Sequence, residues 1–434
     1  MTIKSVLMTM ALTAAAAAVQ AQSDRVISQK EKDYNVSYHE PDSMKALAVG
    51  EKFLKDYPVS KADAKDDRAR GIGYHRVYYN MIAARPSLVD ANIKRFYDEL
   101  PFLTVSELYY RKVQMFNLHK LAKPEELVGR STTLINKLKM FQGHQPADMA
   151  DLSAQEWEKR FDGVYFPSLL THFSILKDTK KLKEAEPVAA ELLSRYGYGI
   201  ASFNEDYVNY LSLAGEKEKM MKALQSSVNA NQASPAMLEM LKKDYLAKNK
   251  DANGFEAYIE SLKSQEGKVK LESEMKAQMI RKEIPGFKVY DSNGNLVNSK
   301  DWKGKIVVLD FFSSWCVPCK ASFPGMKMAM ESLANDKDVV FYYMDNQEHS
   351  KDYKTTVMKY MKDNNFPFNV LFDNEGDKGV NNEVCKLLGV TAIPRKMIMD
   401  KEGYVRFDMD SYYGSPTKLA DEIKIMVELV KKGK

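Results

Sequence analysis

Every cysteine of this 434-residue chain lies in its last third: Cys316, Cys319 and Cys385. A chain held together by disulfides would carry more of them, paired along its length, so these three read as chemistry rather than scaffolding. Two fall in Trp315-Cys316-Val317-Pro318-Cys319-Lys320, directly after the apolar run Ile306–Phe312 and before a helical stretch from Lys320 to Leu333. A thiol at a helix N-terminus faces unsatisfied N–H groups and the positive end of the helix dipole, which stabilise its thiolate. Its pKa can fall from about 8.5 toward 7 or below in such motifs. Two intervening residues let the second thiol reach the first, so a mixed disulfide can be resolved internally. Cys316 is expected to be the attacking, more exposed thiol, and Cys319, one turn further in, the resolving one. Half of a structural zinc site is the competing reading. It needs two more Cys or His ligands at short spacing, and only Cys385 and six scattered histidines are on offer. Neither a metal nor a cofactor is expected.

The rest of the chain changes grammar twice. Lys4, the apolar stretch Val6–Val19 and the small-residue site at Val19-Gln20-Ala21 make residues 1–21 a secretory signal peptide. No cysteine lies near that site to accept a lipid, and no later stretch has the roughly 20 apolar residues of a membrane span. Residues 22–265 read as helix after helix. Polar turns at Ile175–Leu182, Leu211–Glu218 and Tyr245–Asp251 recur at a spacing of roughly 35 residues. Each is followed by an amphipathic stretch, such as Phe255-Tyr258-Ile259-Leu262. This pattern loosely resembles tetratricopeptide repeats, although most of their signature residues are missing, and an irregular helical domain is the alternative. Tyr74, Tyr78, Tyr79, Phe96, Tyr97, Tyr109 and Tyr110 fall at helical spacing, which favours core packing over a ligand groove. The net charge of +5 is spread among acidic neighbours, with no basic run suited to phosphates, so no nucleic-acid partner is expected.

A charged linker, 266–283, ends at the breaker Ile284-Pro285-Gly286, and residues 284–434 form a mixed α/β domain. Phe287–Tyr290 and Leu296–Val297 flank an Asn-Gly hairpin signal, followed by strands at Ile306–Phe312, Val339–Met344, Phe368–Phe372, Lys396–Asp400 and Tyr404–Phe407. Leu419, Ile423, Met426 and Val430 mark a closing amphipathic helix.

This last third resembles the thioredoxin superfamily, specifically its TlpA-like exported thiol–disulfide oxidoreductases. Carrying the resemblance are Trp315 to Cys319, the opening Ile284-Pro285-Gly286-Phe287, Trp302-Lys303-Gly304-Lys305 ahead of the central strand, and Gly389-Val390-Thr391-Ala392-Ile393-Pro394. It implies a two-domain molecule, an all-α N-terminal domain joined to an α/β thioredoxin fold, that reduces or isomerises disulfides of exported proteins. An upstream electron donor is implied, as is a periplasmic or otherwise extracytoplasmic place of work. Pro394 is implied to be the cis proline beside the dithiol, and Trp315, Val317, Pro318, Ile393 and Arg395 to meet the substrate chain. Asp310 matches the buried acid that exchanges a proton with the resolving thiol in thioredoxins; burial would raise its pKa toward neutrality, unless it is a partly exposed acid at a strand end. Ser322 stands where TlpA-like proteins often carry a glutamate. Arg395 stands where threonine is common, which suits acidic partner segments. Cys385 reads as a small buried apolar residue, with a regulatory or second redox thiol as the alternative. No Pro-x-x-x-Thr-x-x-Cys pattern is present, which argues against a peroxiredoxin. Two further readings stay open: a binding or scaffold protein with an auxiliary thioredoxin domain, and an oxidase that introduces disulfides.

Overall fold

The computed structural model describes residues 27–376, 379–410 and 412–433; the expected signal peptide lies outside them. Among the described residues no helix is long and apolar enough to cross a membrane. The chain divides into two compact units between Lys181 and Leu182.

The first unit is helical: α1 (Gln29–His39), α2 (Lys45–Asp56), α3 (Ala64–Ala69), α4 (Tyr74–Ala83), α5 (Val89–Arg95), α6 (Phe102–Tyr109), α7 (Met115–Leu118), α8 (Pro124–Lys139) and α9 (Ala154–Asp178). Ser28 and Ser153 start α1 and α9 with reciprocal capping boxes, each paired with the glutamate three residues on. Tyr74, Tyr78, Phe96 and Tyr109 are buried and build a core, whereas Tyr79 and Tyr97 are partly buried and Tyr110 is exposed. Tyr109 Oη, Ser131 Oγ and His172 Nδ1 form a buried chain of bonds of 2.9 and 2.8 Å, which makes that histidine a packing residue.

The second unit opens with α10 (Leu182–Tyr196), α11 (Ala201–Leu213), α12 (Lys217–Asn229), α13 (Pro235–Lys248), α14 (Phe255–Leu262) and α15 (Gln265–Ala277). It continues through β1 (Lys288–Asp291), β2 (Leu296–Asn298), β3 (Ile306–Phe312), α16 (Val317–Ser332), β4 (Val339–Asp345), α17 (Tyr353–Asp363) and β5 (Val370–Phe372). Helix α18 (Glu383–Leu388), β6 (Arg395–Met399), β7 (Val405–Asp410) and α19 (Pro416–Lys431) complete it. The seven strands form one sheet in the order β2-β1-β5-β4-β3-β6-β7. Central β3 runs parallel to β4 and antiparallel to β6, and every residue of it is buried. Strand alternation sends Ile306, Val308 and Phe312 toward α16 and α19, and Val307, Leu309 and Phe311 toward Trp302 and α18.

The segment expected as a charged linker carries helix α15, whose Leu271 and Met275 are buried in the same core as α19. Beyond it, Lys282 bridges to Val405, and Ile280 N–H donates to the Arg406 carbonyl at 2.8 Å. The turn between α12 and α13 is tied down as well. Asn231 Nδ2 donates to Asp421 at 2.9 Å, Ser415 Oγ to the Asn231 carbonyl at 2.8 Å, and Ala233 N–H to Thr417 Oγ1 at 3.1 Å. Helices α10–α15 therefore belong to the compact unit that contains the sheet.

Candidate active site

Strand β3 delivers the chain to Ser313, and the turn Ser313–Trp315 carries it into α16. Cys316 is the N-cap residue of that helix, its sulfur accepting from the Cys319 N–H at 3.2 Å. Pro318 sits in the first turn, where its missing N–H would have lacked an intrahelical partner anyway. Cys316 and Cys319 are joined as a disulfide with their Cα atoms 5.3 Å apart. In this oxidised form Cys316, expected as the more exposed thiol, is only 3% accessible and Cys319 is fully buried. Trp315 and Val317 flank it and are exposed.

The Ile393–Pro394 bond is cis. Arg395, the first residue of β6, pairs with Phe311 of β3, so Pro394 lies level with the strand end from which the dithiol turn departs. Ile393 is partly buried against both cores. Arg395 makes a two-pronged bond to Asp408, at 2.7 and 2.8 Å. Its guanidinium is committed within the protein rather than held out toward acidic partner segments.

Asp310 is completely buried in mid-strand, which removes the strand-end reading. By alternation it shares the face of Val308 and Phe312 with the buried dithiol. It pairs across the sheet with Tyr343 on one side and Lys396 on the other. The equally buried Lys396 holds its Nζ 3.1 Å from Asp310 Oδ1. Burial pushes the Asp310 carboxyl up, and the Lys396 charge opposes that rise. Lys396 Nζ also lies 3.5 Å from Ser322 Oγ, which donates to the Cys319 carbonyl at 2.8 Å. Ser322 thus stands in a polar thread from Asp310 to the backbone of Cys319. Lys396 escaped sequence reasoning, although a lysine ahead of Met397-Ile398-Met399 was the available signal.

Cys385 is buried at the start of α18. Burial first, and the nearby Asp373 carboxyl second, push its thiol well above the ordinary range. Asp373 satisfies that helix start, accepting from the Val384 and Cys385 N–H groups at 2.7 and 3.0 Å. A second polar cluster, Asp345, Glu348 and Asn381, was also missed; it lies beyond the end of β4 beside the dithiol turn. Among the described residues no group of three or more His, Cys, Asp or Glu is arranged to hold a metal ion.

Comparison with known proteins falls on this unit. Residues 280–408 match the AhpC/TSA family. The thiol-disulfide oxidoreductase ResA of Bacillus thuringiensis subsp. konkukian (strain 97-27) is 35% identical over 126 residues, which are 29% of this chain and 66% of that protein, just under two thirds of its length. The ResA of Bacillus anthracis is 32% identical over 140 residues, 32% of this chain and 72% of its own. A solved thiol:disulfide interchange protein of the thioredoxin family from Chlorobium tepidum TLS aligns with 35% of this chain and 97% of its own, at 22% identity and a TM-score of 0.29. Through its C-terminal domain, the chain belongs to the thioredoxin-like family of ResA-type thiol-disulfide oxidoreductases.

Proposed function

We propose that this chain exchanges thiols and disulfides with exported proteins in an extracytoplasmic compartment, using Cys316 and Cys319 as its redox pair. In the reducing direction the Cys316 thiolate attacks a substrate disulfide, forming a mixed disulfide and releasing one substrate thiolate, which takes up a proton. Cys319 then gives its proton to the Asp310 carboxylate and attacks the Cys316 sulfur. The second substrate thiolate leaves, and the Cys316–Cys319 disulfide remains. Two electrons have passed to the substrate, and an external dithiol donor must return them. Pro394 has no N–H and follows a cis bond level with the strand end from which the dithiol turn departs; it is assigned the role of leaving neighbouring backbone free to pair with the substrate chain. Trp315, Val317, Pro318 and Ile393 border the place where that chain would lie. The helical region, 22–265, is assigned partner or substrate binding, a task suited to stacked helices, and residues 284–434 the chemistry.

The observation that carries this reading is the disulfide at the N-terminus of α16 on the sheet face that also buries Asp310. Replacing the resolving thiol tests it. Cys319→Ala retains the attacking sulfur at the helix start but nothing one turn away to displace a bound partner. Mixed disulfides should accumulate on the variant in the exported compartment, and disappear on reduction or when Cys316 is also replaced. An abundant folded variant that carries no Cys316-dependent adduct would hand the protein to the scaffold reading.

A further inference from the structure

The turn that presents the dithiol has few bonds of its own and leans on the loop after β4. Trp315 donates its indole N–H to the Gln347 carbonyl at 2.8 Å, and its ring stacks on His349 with centroids 5.7 Å apart. Gln347 adopts φ +54°, a left-handed conformation uncommon for a residue with a side chain. The firmest tie is Glu348. One carboxyl oxygen accepts from the Ser314 N–H, and the other from Ser314 Oγ at 2.7 Å. Glu348 is itself 6% exposed, and its own N–H donates to Asn381 Oδ1 at 2.7 Å. Asn381 turns its Nδ2 to Asp345 Oδ2 at 3.2 Å, while its carbonyl accepts from Gln347 N–H at 2.9 Å.

We propose that Glu348 is a positioning residue for the dithiol: it grips Ser314, two residues ahead of Cys316, and is held in turn by Asp345 and Asn381. This rests on the exchange reading above. The chemistry of the grip is specific. A carboxylate can accept from both Ser314 donors at once, and charge-assisted bonds are roughly twice as strong as neutral ones. Asp345 lies fully buried beside Glu348. Of the titratable groups facing Asp345, the carboxyls of Glu348, from its own loop, and Asp373, from the end of β5, both push it toward the neutral form. Tyr353 of α17 and Cys385 of α18 are themselves pushed up, by burial first and then by neighbouring carboxyls, Asp345 among them. Burial and the Glu348 carboxyl push Asp345 up to about 10. A protonated Asp345 is able to donate a hydrogen bond to Glu348.

The test uses the full chain, with insulin as disulfide substrate and dithiothreitol as electron donor. It reads kcat/KM together with Trp315 emission, isolated as the difference from Trp315→Phe. Glu348→Gln keeps the shape but can accept on one oxygen only. We expect kcat/KM to fall about tenfold and the Trp315 emission to move toward that of a water-exposed indole. Asp345→Asn provides the conservative rescue, because its amide donates to Glu348 and accepts from Asn381 without a proton to lose. It should stay within about twofold of the parent. Unchanged turnover and emission in Glu348→Gln would overturn the proposal. So would an Asp345→Asn as damaged as Glu348→Gln, since charge rather than a proton would then be what Asp345 supplies. Should Glu348→Gln fail to fold, Ser314→Ala removes one of the two donors. It should shift both readouts the same way, by about threefold in kcat/KM, and no shift would sink the idea. A parent chain that turns over no insulin would overturn the exchange reading itself; an active parent with an unaffected Glu348→Gln overturns only the role of Glu348.

Discussion

Asp310 and Lys396 form an ion pair with almost no access to water, an arrangement that is costly to break from one side only. Burial favours the neutral acid, whereas Lys396 favours the carboxylate, the form that can take a proton from Cys319. Lys396→Met removes the opposing charge while filling the space. Asp310 must then ionise at higher pH. The rising limb of the pH–rate profile for mixed-disulfide resolution should move to alkaline pH; an unmoved profile would disconnect Lys396 from the proton. Asp310→Asn should slow the same step on the order of 10²-fold, the lower end for a positioned base. It leaves Lys396 buried and unpaired, so the Asp310→Asn, Lys396→Met double variant is the fold control. If the double variant is stable yet resolves mixed disulfides at the parent rate, Asp310 is not the base. At this scale Cys316, Cys319, Asp310 and Pro394 were legible because each stands out against its own local run. Lys396 and the Asp345–Glu348 pair were not, because their partners come from other strands and loops, and only the register brings them together.

The elements that carry these residues are held by a close helix crossing. Helices α16 and α19 pack along one another, and a Cβ at Gly325 would come within 2.8 Å of the Pro416 carbonyl and 3.1 Å of Leu419 Cδ2. Backbone leaves no room to give way, so Gly325→Ala must push the dithiol helix off α19. A loss of about 1–3 kcal/mol in urea unfolding is expected, the usual range for an overpacked core. A variant as stable as the parent would show that the crossing is loose. Strand β3 was readable to the residue, since six apolar residues broken only by Asp310 make a run of strand length ahead of the Cys-x-x-Cys turn. Strands β4 to β7 were located with ends shifted by one to three residues. Helix α15 was not seen as packed structure, because Leu271 and Met275 are its sole buried residues and Val269 between its turns is exposed. Two apolar positions four apart are too narrow a stripe to stand out from a charged linker.

That narrow stripe decides where the catalytic part of the molecule begins. From the sequence the break at Ile284 looks like a domain start, and the family match begins only a few residues earlier, at position 280. In the structure, however, Leu271 and Met275 are buried with Phe407, Leu419, Ile423 and Met426 in the core beneath α19. Burying a leucine or methionine side chain is worth about 1.5–3 kcal/mol, so the two together supply about 3–6 kcal/mol. A domain of this size has a net stability of only about 5–15 kcal/mol. Trimming at Ile284 also removes the Lys282–Val405 bridge and the Ile280 bond to Arg406 on the edge strand β7. Upstream of α15 the ties are polar, centred on Asp421, which receives both Asn231 and Lys263; losing them leaves an acid that water can solvate. A fragment 264–434 should therefore fold and reduce insulin disulfides on its own. A fragment 284–434 should be less stable by about 3–6 kcal/mol in urea and lose activity as it unfolds near body temperature. Equal urea midpoints for the two fragments would mean that α15 is merely laid against the core, and would return the domain boundary to Ile284. A fragment 264–434 that fails to fold would place the boundary further upstream, among α10–α14.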